Sequence, residues 1–353
     1  HFSIHISIEV GDNKMYLQVK ICLNVNCELQ KILLNYEMIY KKEVEKIYQI
    51  FALDKKVFEY PYKLISNDIS YSSKHLVLFT AKEMYQANKE KRKFSYNYSS
   101  IWCNSSYEIN NKKITIKLGL ACNQKKIDIP IYYHKQPMDR INTGIPMNMM
   151  IIFRKNKWYV YIHIKYKTIM SNGTNTMGID IGIKVPAVCA TSANQIKFFG
   201  NGRELRYIQR RYRTHIMKMQ SNKQIKKIIK YEHKLSHILN NYDHKISKDI
   251  VNYAVLNNIG IIKMENLTKI NSHFNVYHNP NIYLWSYRRL QNFIEYKAKL
   301  NGIKIVYINP YNTSKLCPKC GQINNANDRQ YICTCGFHGH RDAVAAMNIL
   351  QTL

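Results

Sequence analysis

Residues Thr313–Leu350 read TSKLCPKCGQINNANDRQYICTCGFHGHRDAVAAMNIL, and the fold turns on what this stretch is attached to. Cys317 and Cys320 form one pair, and after twelve further residues Cys333 and Cys335 form a second. Two cysteine pairs at that separation match a tetrahedral zinc site. Four thiolates close the coordination sphere and leave no position for a water, so such a zinc would be structural. The second pair is Cys-x-Cys, which demands a tighter knuckle, and His338 and His340 stand close enough to replace a sulfur. A redox role for the thiols is the alternative. Directly after the cysteines, Asp342 opens a helix-like run from Ala343 to Leu350. A carboxylate there gains chemical use if others join it.

Two others qualify. Asp180 lies in Gly178-Ile-Asp-Ile-Gly182. An aspartate among apolar residues of a central strand is costly unless paired or bound to metal. Gly182 removes a side chain two residues on and lets backbone or ligand approach that face. Glu265 ends the apolar run Ile261-Ile-Lys-Met-Glu265 and meets the same objection. Two strand ends and a helix start would bring the acids to one sheet edge, holding two divalent ions about 3.5–4 Å apart. Hard oxygen ligands favour Mg²⁺. One ion would activate a water and the other would stabilise the leaving oxygen of a phosphodiester. Each acid alone also has a plain structural or solvated reading; the ordered trio carries the argument.

The elements between them fit an α/β order. Thr176–Ile183, Ala187–Thr191 and Gln195–Phe199 read as three short strands. Gly200–Ile250 is helical and basic, with thirteen Lys/Arg against four Asp/Glu. Ile225, Ile228, Ile229, Leu235, Ile238 and Leu239 form its apolar stripe, Ile246, Ile250 and Ala254 extend it, and Met217 and Met219 read as core. The helix ends at Asn257-Asn258-Ile-Gly260. A helix from Leu284 to Leu300 and a strand from Ile303 to Ile308 precede the cysteines.

The first half reads differently. His1–Leu23 alternates around Gly11-Asp12-Asn13 as a hairpin. From about Glu28 to Glu90 the period is helical: Leu29, Ile32, Leu33, Tyr36 and Ile39 mark one helix and Val44, Ile47, Ile50 and Phe51 a second. Leu76, Val77, Phe79 and Met84 mark the apolar side of a third. Strands return from Lys93 to Lys167, so a β-domain is interrupted by a helical insertion, and Ser171–Thr174 is the linker candidate.

Composition narrows the partners. Against 23 acidic residues stand 53 basic ones, a formal net charge of +30. That excess repels itself in the folded state and makes sense beside a polyanion. The cysteines outside the cluster (Cys22, Cys27, Cys103, Cys122, Cys189) are scattered, which points to a reducing compartment and not a disulfide framework. No apolar run approaches about 18 residues, so no membrane span is expected. No signal-peptide pattern opens the chain, and it opens on His1 rather than Met, which leaves room for an upstream start.

Gly178-Ile-Asp-Ile-Gly182, Ile262-Lys-Met-Glu-Asn-Leu267, Thr313–Gly321 and Cys335–Asp342 together resemble the TnpB proteins of insertion sequences. These are annotated historically as transposases and are related to the Fanzor proteins and the compact type V CRISPR effectors. The resemblance runs through Asp243–Asp249 and Leu290–Lys299, and is specific from about Gly178 to Leu350. It implies an α/β and β multi-domain chain. A β-barrel-like wedge domain (1–30 and 93–170) would carry a helical recognition lobe (31–92). An RNase H-like, RuvC-like nuclease domain (171–353) would hold a zinc-ribbon, target-nucleic-acid-binding insertion (311–341). Asp180, Glu265 and Asp342 fall on the family's catalytic acids.

The expected activity is RNA-guided, two-metal DNA cleavage, with Mg²⁺ on the three acids and one structural Zn²⁺ on Cys317, Cys320, Cys333 and Cys335. Partners would be a guide RNA from the element's own end and target double-stranded DNA. Arg203, Arg206, Arg210, Arg211, Arg213, Lys226, Lys227 and Lys230 would follow nucleic-acid backbones, with Tyr207 and Tyr212 for stacking. Arg341 either steadies a phosphate or the acid beside it, or is an ordinary helix-start charge. A nuclease-inactive RNA-guided repressor and a DNA transposase in the strict sense remain as alternatives. The chain would be a monomer or dimer, cytoplasmic and nucleoid-associated in a bacterium, or nuclear in a eukaryotic or viral relative.

Overall fold

The structure, a computed structural model, describes residues 6–7, 14–53, 61–89, 99–119, 126–167, 170–266, 287–324 and 328–352. They form two compact units, 1–167 and 168–353. Phe2, Ile4, Ile8, the Gly11–Asn13 turn, Cys122, Leu267 and the start of the Leu284 helix lie outside the described residues. Among the described residues, no helix is long and apolar enough to cross a membrane.

The first unit begins with β1 (Ile6–Ser7), β2 (Lys14–Leu23), α1 (Cys27–Leu53) and α2 (Lys74–Lys89). Short strands β3 (Ile101–Trp102), β4 (Tyr107–Ile109), β5 (Lys113–Lys117) and β6 (Lys126–Pro130) follow. Helix α3 (Lys135–Thr143) then leads to β7 (Ile145–Arg154) and β8 (Lys157–Lys167). One sheet is ordered β1-β2-β8-β7-β3 and a second β4-β5-β6. Strand alternation turns Trp158, Val160, Ile162 and Ile164 inward, where they meet Leu17, Val19 and Ile21. Lys155 and Asn156, at φ 52° and 57°, make the tight turn between β7 and β8.

The helices share that core. Leu33, Tyr36, Tyr40, Val44, Ile47 and Phe51 are buried along α1, and the Tyr36 ring stacks on Trp102 with centroids 4.9 Å apart. The expected two helices over this stretch are one, because neither Gly nor Pro interrupts Cys27–Leu53. On α2, Leu76, Val77 and Met84 are buried as expected. Phe79 is not: Thr80 and Ala81 face the core in its place, and the ring is 59% exposed.

The second unit opens with β9 (Asn175–Asp180), β10 (Ala187–Thr191) and β11 (Ile196–Phe199), an antiparallel meander. Helices α4 (Gly202–Ser221) and α5 (Ile225–Leu256) lead to β12 (Ile259–Glu265), and α6 (Tyr287–Leu300) leads to β13 (Lys304–Ile308). The hairpin β14 (Gln330–Ile332) and β15 (His338–His340) precedes α7 (Arg341–Gln351). The sheet order is β11-β10-β9-β12-β13, with β12 parallel to β9 and β13 parallel to β12.

Each face has its own cover. Met177, Ile179, Ile262 and Met264 pack with Leu239, Ile250, Leu290 and Ile294 of α5 and α6. Val188 and Ala190 pack with Ala343 and Ala346 of α7 on the other face. Gly178 faces α7 so closely that a Cβ there would lie 2.4 Å from the Ala346 carbonyl oxygen. Gly178→Ala is therefore expected to destabilise this unit by about 1–3 kcal/mol through overpacking against backbone. An unchanged thermal midpoint would contradict the seating of α7. Lys263 Nζ, on the same face, donates to the Leu350 carbonyl at 3.0 Å and helps close the end of α7.

Ser171–Thr174, expected as a linker, is packed: Ser171 N–H donates to the Gly302 carbonyl, and Gly173 lies against Gly260 backbone to backbone. In α5, Leu235, Leu239, Ile246, Ile250 and Ala254 are buried, but Ile225 and Ile229 are exposed, as is Met217 of α4. These lie at the far end of the α4–α5 hairpin, where the apolar stripe outruns the sheet beneath it.

Asp243, in the conspicuous 243–249 segment, is buried and accepts from Arg289 Nε at 2.7 Å, joining α5 to α6. Beside it His244 stacks on Phe293, and Lys297 Nζ donates to the His244 carbonyl at 2.9 Å. Asp243→Ala would remove the buried carboxylate by which Arg289 ties α6 to α5. A loss of about 3–5 kcal/mol in chemical denaturation is expected.

Candidate active site

The register of β9 and β12 brings two acids together. Gly178 pairs with Lys263 and Ile179 with Met264, so one step on Asp180 and Glu265 stand side by side at the C-terminal strand ends. Both face α7, as Gly178 and Lys263 do. Asp342 sits in the first turn of α7, directly over that edge, and its backbone N–H donates to His340 Nδ1 at 3.3 Å.

Burial pushes the Asp180 carboxyl well above its usual range, and the charges of Glu265 and Asp342 push it further; Arg329 and Arg341 oppose them. Glu265 is also raised, chiefly by burial, while a hydrogen bond from Thr313 Oγ1 works the other way. Tyr287, at the start of α6, is pushed up to about 12 by burial and then by the Asp180 charge. Three carboxylates thus share one electrostatic pocket without collapsing together. Among the described residues, the only set of three or more candidate ligand atoms within 4.8 Å is the four-cysteine cluster.

The reason is the company each acid keeps. Arg329 Nη1 contacts both Asp342 oxygens, with 2.6 Å to Oδ2, and its own Nε is buried and unpartnered. Arg341 N–H donates to the Arg329 carbonyl at 2.9 Å, which sets the guanidinium over the helix start. The Glu265 carbonyl accepts from Gln291 Nε2 at 2.8 Å. Asn348 Nδ2 on α7 donates to the Thr313 and Leu316 carbonyls and pins the loop that carries Thr313. Sequence reasoning missed Arg329, Gln291 and Tyr287. Arg329 had one available signal, a basic residue between the two cysteine pairs.

The cysteines come together as the spacing predicts. Cys317 and Cys335 Sγ lie 3.7 Å apart and Cys320 and Cys333 Sγ 3.5 Å apart. Tetrahedral thiolates 2.3 Å from a zinc would stand about 3.8 Å apart, so the set fits. Gly321 and Gly336, at φ +75° and +84°, follow the second cysteine of each pair and turn both knuckles, the tight Cys-x-Cys one included. The Cys333 thiol is pulled down to about 6, first by the Cys335 backbone N–H and then by the neighbouring thiols. His338 and His340 are not in the cluster: the first is exposed on β15, and the second caps α7.

Of the expected nucleic-acid contacts, Arg203, Arg210, Arg211, Arg213, Lys226, Lys227, Lys230 and Arg341 are exposed. Arg206 is half-buried and donates to the Gly202 carbonyl. Tyr207 is exposed, whereas Tyr212 is engaged with Tyr231, ring centroids 5.8 Å apart.

Comparison with known proteins fits this arrangement. Residues 161–271 match the family described as a probable transposase (OrfB of IS605), and residues 287–349 match the Cas12f1-like TNB domain. The CRISPR-associated endodeoxyribonuclease Cas12f1 of Sulfoacidibacillus thermotolerans is 30% identical over 61% of this chain and 56% of its own. A TnpB-like protein of Methanocaldococcus jannaschii is 37% identical over 39% of this chain and 52% of its own. The chain therefore spans about half the length of these curated relatives. A Cas12f1 solved with single-guide RNA and target DNA superposes with a TM-score of 0.65 at 18% identity, over 92% of this chain and 82% of that one. The fold is that of the compact type V effectors.

Proposed function

We propose that this chain, a homologue of the TnpB-like proteins and of Cas12f, is an RNA-guided DNA endonuclease that hydrolyses phosphodiester bonds at Asp180, Glu265 and Asp342. The observation that carries the reading is the common edge: β9, β12 and α7 deliver three carboxylates to one face of a β11-β10-β9-β12-β13 sheet. That strand order, with two antiparallel and then two parallel pairings, supports an RNase H-like, RuvC-like domain over 171–353 with the cysteine module inserted at 311–341. The sheet of 1–30 and 93–170 would serve as the wedge and the helices of 31–92 as the recognition lobe.

The carboxylates are hard oxygen donors brought to one strand-end edge without all three lying within 4.8 Å of one another, which suits Mg²⁺ with its retained waters. Bound there, two such ions would supply an activated water and neutralise the leaving oxygen. The chain's own residues do the rest. Thr313 and Gln291 hold Glu265 in place, and α7 holds Asp342 over the strand ends. Arg329 balances the Asp342 charge and would stand beside a phosphate held at the acids. The four cysteines, holding a structural zinc, would fix the backbone that carries Arg329. Guide RNA and target DNA would be the partners, gathered by a net charge of +30.

The test is to purify the protein with RNA from its own flanking locus and offer matched duplex DNA with Mg²⁺. Cleavage is expected, and Arg329→Gln should slow it by about 10²–10³-fold, the usual effect of losing one charge-stabilising donor. Retained target binding without cleavage by the folded wild-type complex would replace this reading with that of a repressor.

A further inference from the structure

Beyond the acid edge, past Val188 that α7 covers, the sheet emerges again at an exposed edge strand that the hydrolytic chemistry does not use. Asp180 pairs with Val188, and Val188 pairs with Phe198. Residues directly opposed across a sheet share a face, so Phe198 stands on the face of Asp180, two strand spacings or roughly 10 Å away. Ile196 shares that face, and β11 is an edge strand with nothing paired beyond it among the described residues. Phe198 is 46% exposed and Ile196 39%.

The zinc module completes the surface. The Phe198 ring meets the His340 ring edge to face, centroids 5.2 Å apart. His340 lies on the β14–β15 ladder opposite Gln330, and Ile332 lies opposite His338. Tyr331, pointing the other way, is buried, so these four side chains face outward, and Ile332 is 59% exposed. Rings and apolar side chains therefore run without a break from the sheet edge onto the module. The same His340 caps the helix that carries Asp342. Exposed Arg341 borders this end of the unit, and Lys184 beside it is ion-paired with Asp328 at 2.8 Å.

We infer that this surface is a stacking site for unpaired nucleobases of the strand delivered to the acids, with Phe198 as the base-contacting ring. The inference rests on the nuclease reading for the strand's destination. A single strand carries what the surface matches: flat apolar rings for Phe198 and Ile332, and a phosphate for Arg341. A duplex strand rises about 3.4 Å per nucleotide and an unpaired one can extend further, so roughly 10 Å places the stacked base within at most roughly three nucleotides of the phosphate over Asp180. A duplex keeps its bases inside the stack and cannot use the ring. The site thus favours a strand already unpaired, and Phe198 acts as a positioning residue that sets which phosphate arrives.

The experiment uses the full chain, an oligothymidylate bearing one 2-aminopurine, and EDTA to prevent cleavage. Wild type and Phe198→Trp should quench the 2-aminopurine. Phe198→Ala should abolish the quench and bind about tenfold more weakly, the scale of one lost base stack, with an unchanged salt slope. Arg341→Ala should instead reduce the salt slope and keep the quench. Thermal midpoint and zinc content, expected to be unchanged in Phe198→Ala because the ring is half in solvent, establish folding. A folded Phe198→Ala that retains both quench and affinity overturns the inference, and so does one that alters only the salt slope. Guided cleavage of matched DNA in Mg²⁺ is measured in parallel: loss there with the quench intact in wild type would sink the nuclease reading and leave the stacking site standing.

Discussion

Asp180→Asn is expected to abolish cleavage and, in the absence of divalent cations, to make the protein more stable. The two effects share a cause. Asp180 is half-buried beside Glu265 and Asp342, and its desolvation followed by those two charges raises its carboxyl well above the usual range. Glu265 is raised as well, again chiefly by burial. The metal-free fold therefore keeps protons that the unfolded chain gives up near pH 4. A group whose folded value is raised contributes its full stability below the unfolded value and loses it as pH climbs through the folded one. Metal-free wild type should accordingly lose stability as pH rises above about 4, with both acids contributing.

Asparagine keeps the shape of the protonated aspartate and cannot ionise. Asp180→Asn should exceed wild type in thermal midpoint in EDTA, with a gap that widens with pH to about 2–4 °C per kcal/mol of relieved repulsion. Mg²⁺ should reverse the order, because a cation that binds only the folded state stabilises it by mass action. Cleavage should fall at least about a thousandfold, the rate equivalent of several kcal/mol of lost transition-state stabilisation. The measurements are thermal melts from pH 5 to 9 in EDTA and in Mg²⁺, beside guided cleavage. Undiminished cutting by Asp180→Asn would remove these acids from the chemistry.

Much of this site was legible before any coordinate. Asp180 and Glu265 end apolar strands where an unpaired charge is costly, and their order with Asp342 outweighed the plain structural reading of each; that Gly178 lets α7 cross β9 was seen only in the structure. The cysteine spacing was sufficient because metal ligation fixes separation, and Gly336 supplies the turn that the missing residue of Cys-x-Cys would otherwise make. What stayed hidden depends on neighbours distant in sequence. Arg329 on Asp342 and Gln291 on the Glu265 carbonyl are set by how α6 and the zinc module fold back, and no local spacing encodes that. Periodicity also cannot say where a partner ends. Ile225 and Ile229 continue a correct stripe past the edge of the sheet, and Phe79 sits one step off a stripe whose exact phase is fixed by Thr80 and Ala81.

The second large effect should come from the thiols. The module between β13 and α7 owns almost no core: Cys317, Tyr331, Cys333 and Val344 form a small buried cluster, with Cys335 and Phe337 against it. So few apolar contacts cannot hold some thirty residues against their conformational entropy. Thiolate–metal bonds can, because structural zinc binding contributes about 10–16 kcal/mol in isolated fingers. Purified protein should contain one zinc per chain, and Cys333→Ser should lose it. The damage should be confined. Gly178, Val188 and Ala346 seat α7 on the sheet without help from the module, so hydrogen exchange in β9, β10 and β12 should stay slow. Residues 311–341 should become open to protease, and with them Arg329 should leave Asp342, since the β14–β15 backbone, the Lys184–Asp328 ion pair and the packing of Tyr331 in the module hold it there. Cleavage should then fall in Cys333→Ser by at least as much as in Arg329→Gln. A zinc-free Cys333→Ser protein that cuts like wild type would detach the cysteines from the acids altogether.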